Sequence, residues 1–423
     1  MLYVILIFKN ILELFHDLFN FFIIFKQVLR SNQKEKARHR IFNKIQNEEL
    51  STSINLDSML PGSSIGQRLV LTSFGESHGK SIGAVLDGCP AGLEIDEKDI
   101  QKMLDLRKPG QNIISTQRKE GDIVEIISGV FRGYTTGAPI TMVIWNSDQK
   151  SKDYENLKTK LRPGHSDYPA MTKYNHFNDH RGGGRFSGRL TATHVMGGAI
   201  ARKLLKETLG IETNSFTSQI GKIKMEREFN EKMINSIYKN EVRCPESKTA
   251  KIMREKILEA RKKGDSLGGI IESITTNVPV GLGEPIFSSL ESDLSKAIFS
   301  IPSVKGIEFG SGFAGSEFFG SENNDLYTIK RGKIVTETNR SGGILGGISN
   351  GMPITMRIAF KPASSIAQKQ KTVDIKTKKE TILQVKGRHD PCVVPRAPPV
   401  VDSLVALTIA DHALISGAIK PTL

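Results

Sequence analysis

Cysteine is scarce in this chain. Its 423 residues include only Cys89, Cys244 and Cys392, which are far apart and form no CxxC pair. That scarcity excludes a disulfide scaffold and a cysteine-based zinc site, and it fits a reducing, cytoplasmic compartment. Tryptophan occurs once, at Trp145. The arginine- and glycine-rich segment 179–192 is neither a Walker loop nor a GxGxxG run, so it carries no ordinary nucleotide fingerprint. No uncharged apolar run reaches the roughly 20 residues that a membrane span requires. The most apolar stretch, residues 1–30, is interrupted by Lys9, Glu13, Asp17 and Lys26. It lacks a basic n-region and a small-residue cleavage site, as a secretory signal would have, and its acidic residues argue against a transit peptide.

What is present is a globular balance of 38% hydrophobic and 25% charged residues, with 39 glycines gathered in clusters. Net charge is +14; residues 1–58 hold eight Lys/Arg against six Asp/Glu, so nearly all of the excess lies in the body. A basic body calls for an anionic partner, either nucleic acid or a phosphorylated small molecule. Many arginines stand singly inside glycine-rich segments, which favours small phosphates over a nucleic-acid stripe. Residues 1–58 are expected to lie outside the folded domain, with Met59 as the functional start and 59–423 as one domain.

Local signals place a few elements. Asp96 caps a helix that ends at Pro109-Gly110, residues 188–208 form a helix rich in small residues, and a charged helix spans 247–263 before Gly264. Strands are expected at 123–127, 140–145, 270–275 and 354–360, the last alternating apolar and polar. One internal echo stands out. GAPITMVI (137–144) matches GMPITMRI (351–358), and SGVFRGYTTG upstream matches SGGILGGISNG. This echo predicts a two-fold duplication with a ligand between the related halves.

Five motifs carry chemistry. FGESHG (74–79) sets His78 between Ser77 and Gly79, and histidine is the side chain that exchanges protons near neutrality. RPGHSDY (162–168) packs Arg162, His165 and Asp167 into a Pro-Gly turn, able to bind a phosphate and protonate its neighbour. DHRGGGRFSGRLTA (179–192) places three arginines around three glycines at a helix start, where backbone N–H groups and guanidinium forks select phosphate. NRSGGILGGISNG (339–351), followed by KPASS (361–365), adds a lysine, two hydroxyls and free backbone donors. KGRHDPCVVPRAPP (386–399) brings Arg388, Asp390 and Arg396 within nine residues.

Those five segments, with DSLGG (265–269) and VKGIEFGSGF (304–313), resemble the chorismate synthase family in order and spacing from about Ser64 to Asp411. The resemblance implies an α+β fold, a β-α-β sandwich assembled as a homotetramer. It implies elimination of phosphate from 5-enolpyruvylshikimate 3-phosphate to give chorismate, with reduced FMN and no net redox change. It further implies that His78 protonates the departing phosphate, His165 serves the reduced flavin, and Asp390 takes part in proton removal. Arg185, Ser187, Gly346, Lys361, Ser364, Ser365 and Arg388 match flavin-contacting positions. Pro362 and Ala363 lie within the same KPASS step, and Pro302 and Ser303 stand just before VKG. Arg107 and Arg189 match positions that bind substrate anions. Two positions depart from the common pattern: Ile113 stands where the family has a further arginine, and Phe186 where one branch has serine. No metal is implied, and NADPH enters only as an indirect reductant. Two rivals remain open at this level: a basic nucleic-acid binder, and a family member without catalysis. FMN titration separates the first from a flavoenzyme, and neither nucleic acid nor membrane is expected as partner.

Overall fold

The computed structural model describes residues 62–115, 120–146, 157–227, 230–385 and 390–423; Arg388 lies outside them, as does the 1–58 extension. The first half contains β1 (Ser64–Ile65), β2 (Val70–Gly75), β3 (Ser81–Asp87), α1 (Glu97–Arg107), β4 (Glu125–Ser128), β5 (Val130–Phe131), β6 (Tyr134–Thr135) and β7 (Ile140–Trp145). The short α2 (Asp167–Lys173) and the long α3 (Thr191–Leu209) follow. The second half contains β8 (Glu212–Ile220), β9 (Ile223–Lys224), α4 (Ser247–Lys262), β10 (Gly269–Thr276), α5 (Leu290–Phe299) and β11 (Val304–Phe309). After these come α6 (Gly320–Asn323), β12 (Tyr327–Lys330), β13 (Lys333–Thr336), β14 (Ile344–Leu345), β15 (Ile348–Ser349), β16 (Ile354–Phe360), β17 (Lys369–Asp374), β18 (Lys379–Gln384) and α7 (Pro398–Ile415).

Two five-stranded antiparallel sheets share one topology. One runs β1-β2-β3-β7-β4 and the other β9-β8-β10-β16-β11. Central strands β3 and β10 are each followed by a loop, a helix (α1 or α5), an edge strand, a two-residue hairpin and then the strand that carries the repeated sequence. The loops are bonded alike. Thr135 Oγ1 donates to Pro90 O at 2.6 Å and accepts from Leu93 N at 2.9 Å. Ser349 Oγ donates to Pro279 O at 2.6 Å and accepts from Leu282 N at 2.9 Å. Both hairpins turn on two residues of positive φ, Arg132-Gly133 and Gly346-Gly347. The halves differ at one edge, since β1 precedes its partner β2 whereas β9 follows β8, and the second half carries α4, α6 and the β12–β13 hairpin as additions. The duplication read from the sequence is thus present in the topology and in individual hydrogen bonds.

Helices α3 and α7 lie between the sheets and make the core. Successive glycines on α3 face opposite neighbours: a Cβ on Gly197 would come 2.5 Å from Leu71, and one on Gly198 would come 2.1 Å from Ser403 of α7. Small residues are therefore required where the backbones approach. Helix α7 is apolar enough to span a membrane by length and composition alone, yet 89% of it is buried in the protein. Three of its polar residues fasten neighbouring elements. Asp402 pairs with Arg202 of α3 at 2.7 Å, and His412 meets Asp293 of α5 at 3.0 Å. Asp411 accepts the backbone N–H groups of Gln67, Arg68 and Leu69 at 2.6–2.9 Å, tying the first strands to the centre.

Candidate active site

A cavity of about 290 Å³ opens where segments of both halves meet. One wall holds Arg107, Glu120, Ser187 and Arg189; a second holds Arg162 and His165; a third holds Pro302, Ser303, Ala363, Ser364 and Ser365; a fourth holds Asp390 and Arg396. His165, Arg189 and Asp390, taken from three distant segments, thus face one space.

The glycine triplet explains how two imidazoles fit beside one stretch of backbone. Gly182, Gly183 and Gly184 all have positive φ, at 56°, 84° and 51°, a region that a side chain disfavours. A Cβ on Gly182 would strike the His78 ring at 2.2 Å, and one on Gly183 would lie 3.5 Å from Cε1 and Nε2 of His165. Each glycine therefore packs against one histidine. His78 is 2% exposed and stands behind Gly182, outside the cavity lining, with Ser77 Oγ 3.1 Å from its Nδ1.

The turn carrying His165 is locked to KPASS. Lys361 Nζ donates to Gly164 O at 2.7 Å and to Ser364 Oγ at 2.6 Å, and Ser364 Oγ donates to the same carbonyl. Arg162 donates to Ser365 Oγ at 3.3 Å. Burial and the nearby Lys305 charge lower the Lys361 pKa.

The excess of cations read from the sequence is compensated locally. Arg162 grips Asp167 with two bonds of 2.7 and 2.8 Å. Arg396 donates to Asp390 at 2.5 Å. Arg107 and Arg189 share Asp122 at 2.6 and 2.7 Å, and Arg189 also contacts Glu120. Asp122 sits at φ 47°, an uncommon conformation for a residue with a side chain, held here by the two guanidinium groups. Arg107 is 1% exposed and bonded as well to Arg189 O and Thr191 Oγ1, so it acts as scaffold for the Arg189 wall. Burial lowers its pKa against the pull of Asp122. Sequence reasoning named the arginines and missed Glu120 and Asp122; the only signal was a short acidic run ahead of a strand.

Besides His78, the predicted Arg185 and Gly346 stand apart from the cavity, and Lys361 and Pro362 are not among its lining residues. Arg185 spends its guanidinium on Ser63 Oγ, Ser73 and Gly75 O, bracing β2. Gly346 sits beside Gly347, whose carbonyl accepts from Leu290 N at the start of α5. The ten-residue α5 then separates it by about 15 Å from Pro302 and Ser303 at the other end. Of the departures, Ile113 is exposed with its carbonyl taken by Arg261, and Phe186 lines the cavity while its ring meets Tyr174 at 6.5 Å. Among the described residues, no group of His, Cys, Asp or Glu could hold a metal ion.

Comparison with known proteins agrees with this geometry. The chorismate synthase family model matches residues 69–414. A chorismate synthase of Korarchaeum cryptofilum is 52% identical over 360 residues, covering 85% of this chain and 99% of its own length. One from Methanosarcina barkeri is 49% identical over 362 residues, covering 86% and 99%. A crystal structure of chorismate synthase superposes with a TM-score of 0.65 at 31% identity, covering 83% of this chain and 93% of that one. With residues of four motifs lining one cavity and the family match running through nearly all of the described body, the chain belongs to the chorismate synthase family.

Proposed function

We propose that the cavity between the two halves is the active site for the family's lyase reaction, the anti-1,4-elimination of phosphate from 5-enolpyruvylshikimate 3-phosphate to give chorismate. The observation that supports this most is the meeting of His165, Arg189 and Asp390 around one space. Arg189 and Arg396 would orient the substrate's anionic groups, each already held by a carboxylate so that little reorganisation is needed. Asp390, fixed by Arg396, would receive the ring proton. His78, buried against Gly182, would serve as the acid for the leaving phosphate. His165 would exchange a proton through Nε2, on the edge facing Gly183.

The family uses reduced flavin, and the donor set fits FMN. Lys361, Ser364, Ser365, Ser303 and Ser187 supply a cation and hydroxyl groups close together, matched to a phosphate and a polar ring edge. Pro302, Pro362 and Ala363 add apolar surface. When bound, the flavin supplies electron density transiently. A homotetramer is proposed on two grounds: the family resemblance, and the position of Gly346, which could serve the site of a second copy. Cytoplasmic residence is proposed from three buried, unpaired cysteines. NADPH is proposed as an indirect source of reducing equivalents.

The test is direct. Titration with oxidised FMN is expected to perturb the flavin's visible absorbance. Anaerobic assay with reduced FMN and 5-enolpyruvylshikimate 3-phosphate is expected to release phosphate and chorismate in equal amounts. Absence of both overturns the reading. An aerobic assay with NADPH as sole reductant then decides whether the protein reduces its own flavin.

A further inference from the structure

Asp167 is nearly buried, at the first position of α2, where it makes contacts on two sides. Its Oδ2 accepts from the Arg162 backbone N–H at 3.0 Å and from Nε at 2.8 Å. Its Oδ1 accepts from Arg162 Nη2 at 2.7 Å and lies 2.6 Å from His165 Nδ1. The ring N–H is not aimed straight at that oxygen, so the second contact is a close charge–dipole approach more than a linear hydrogen bond. Burial pushes the Asp167 carboxyl upward; the bonds and charges of Arg162 and His165 outweigh it and hold the group below the ordinary carboxylate range. The opposite edge of the ring, Cε1 and Nε2, faces Gly183 beside the cavity.

We propose that Asp167 is the positioning residue of His165. Clamped by Arg162, it keeps the proton on Nδ1 and leaves Nε2 to exchange protons in the cavity. The inference rests on the reading of His165 as a proton-exchanging group. A carboxylate accepts only, so it fixes which nitrogen carries hydrogen. Arg162 is pinned in turn through Ser365 to the KPASS wall, so ring and wall are set together. An Asp167 serving only to start α2 would need no imidazole within 2.6 Å.

The substitution Asp167→Asn reads the device. The amide would turn its oxygen toward Arg162 and its N–H toward Nδ1, reversing the favoured tautomer. With ¹⁵N-histidine protein, and His165→Gln to identify the resonance, the wild type is expected to show a protonated Nδ1 and an unprotonated Nε2. Asp167→Asn is expected to reverse that pattern and lower turnover about 100-fold. Asp167→Glu, which keeps the acceptor, is expected to preserve the tautomer and recover part of the rate; it carries the same test if the Asn variant is too unstable to purify. In a His165→Ala background, Asp167→Asn is expected to cause no further loss. Unchanged His165 nitrogen shifts, or the same loss in both backgrounds, would overturn the role of Asp167. Near-normal turnover of His165→Ala alone would instead overturn the reading of His165, while the nitrogen shifts still report whether Asp167 sets the ring.

Discussion

The two halves of this chain share a topology, yet they approach the cavity with opposite backbones. Before α3 the chain runs through three glycines in the left-handed region. Into α7 it runs through Pro395 and then Pro398 and Pro399, the first two residues of the helix, whose rings fix φ near −65°. The glycine half lets main chain lie against two imidazoles. The proline half holds Asp390 and Arg396 in one arrangement with little freedom to lose. The two segments that lead into the core helices thus serve close approach on one side and rigidity on the other.

The sharpest way to break this contrast is Gly182→Ala. The new methyl group would meet the His78 ring at 2.2 Å, and φ is already 56°. The expected result is a loss of turnover of at least about ten-fold and of stability by about 1–3 kcal/mol. Paired turnover and thermal-melting measurements check both. Native activity in this variant would show that the bare Cα is not what admits His78 to the reaction.

A smaller effect is expected at His194, on the first turns of α3. Burial, reinforced by the charges of Arg185 and Arg107, pushes its pKa down to about 4 from 6.5. Folded His194 stays neutral while the unfolded chain takes up a proton, so stability is present above pH 6.5 and is lost as pH falls toward 4. The residue as a whole is only half-buried, which limits the effect to about 1–2 kcal/mol. Urea unfolding at pH 7 and pH 4.5 is expected to show a smaller acid loss in His194→Gln than in the wild type. Equal losses would remove His194 as the source.

On the proline side, Pro398→Ala frees the unfolded chain at a position where proline suits a helix start. Destabilisation of about 0.4–1 kcal/mol with turnover unchanged is expected. A large loss of activity would mean that the proline half also depends on fine backbone placement, and the contrast would fade.

How far the sequence could be read follows from the same physics. Helix α1, with Asp96 as cap, and the exposed α4 were legible because one face is polar and their ends are signalled. Strand β16 was legible from strict alternation; its outward Arg357 is solvated and pairs with Glu308 at 2.7 Å. Helix α7 was not legible, since it is buried on all sides and its apolar residues carry no period. The internal echo was visible as repeated letters because the turn geometry demands the same glycines twice. The charge balance was hidden for a different reason: Asp122 is 67 residues from Arg189, and only folding shows that they meet. The contact of Gly182 with His78 spans a hundred residues and has no local signature.

The smallest effect is expected outside both halves. Relatives are matched over 96–100% of their own lengths but over only 84–86% of this chain, and the family model begins at Leu69. The N-terminal extension is therefore additional to what the family shares. Removal of residues 1–58, with translation starting at Met59, is expected to leave turnover and melting temperature unchanged. Loss of either would place a functional or folding contribution in the extension, and the comparison would then have three regions and not two.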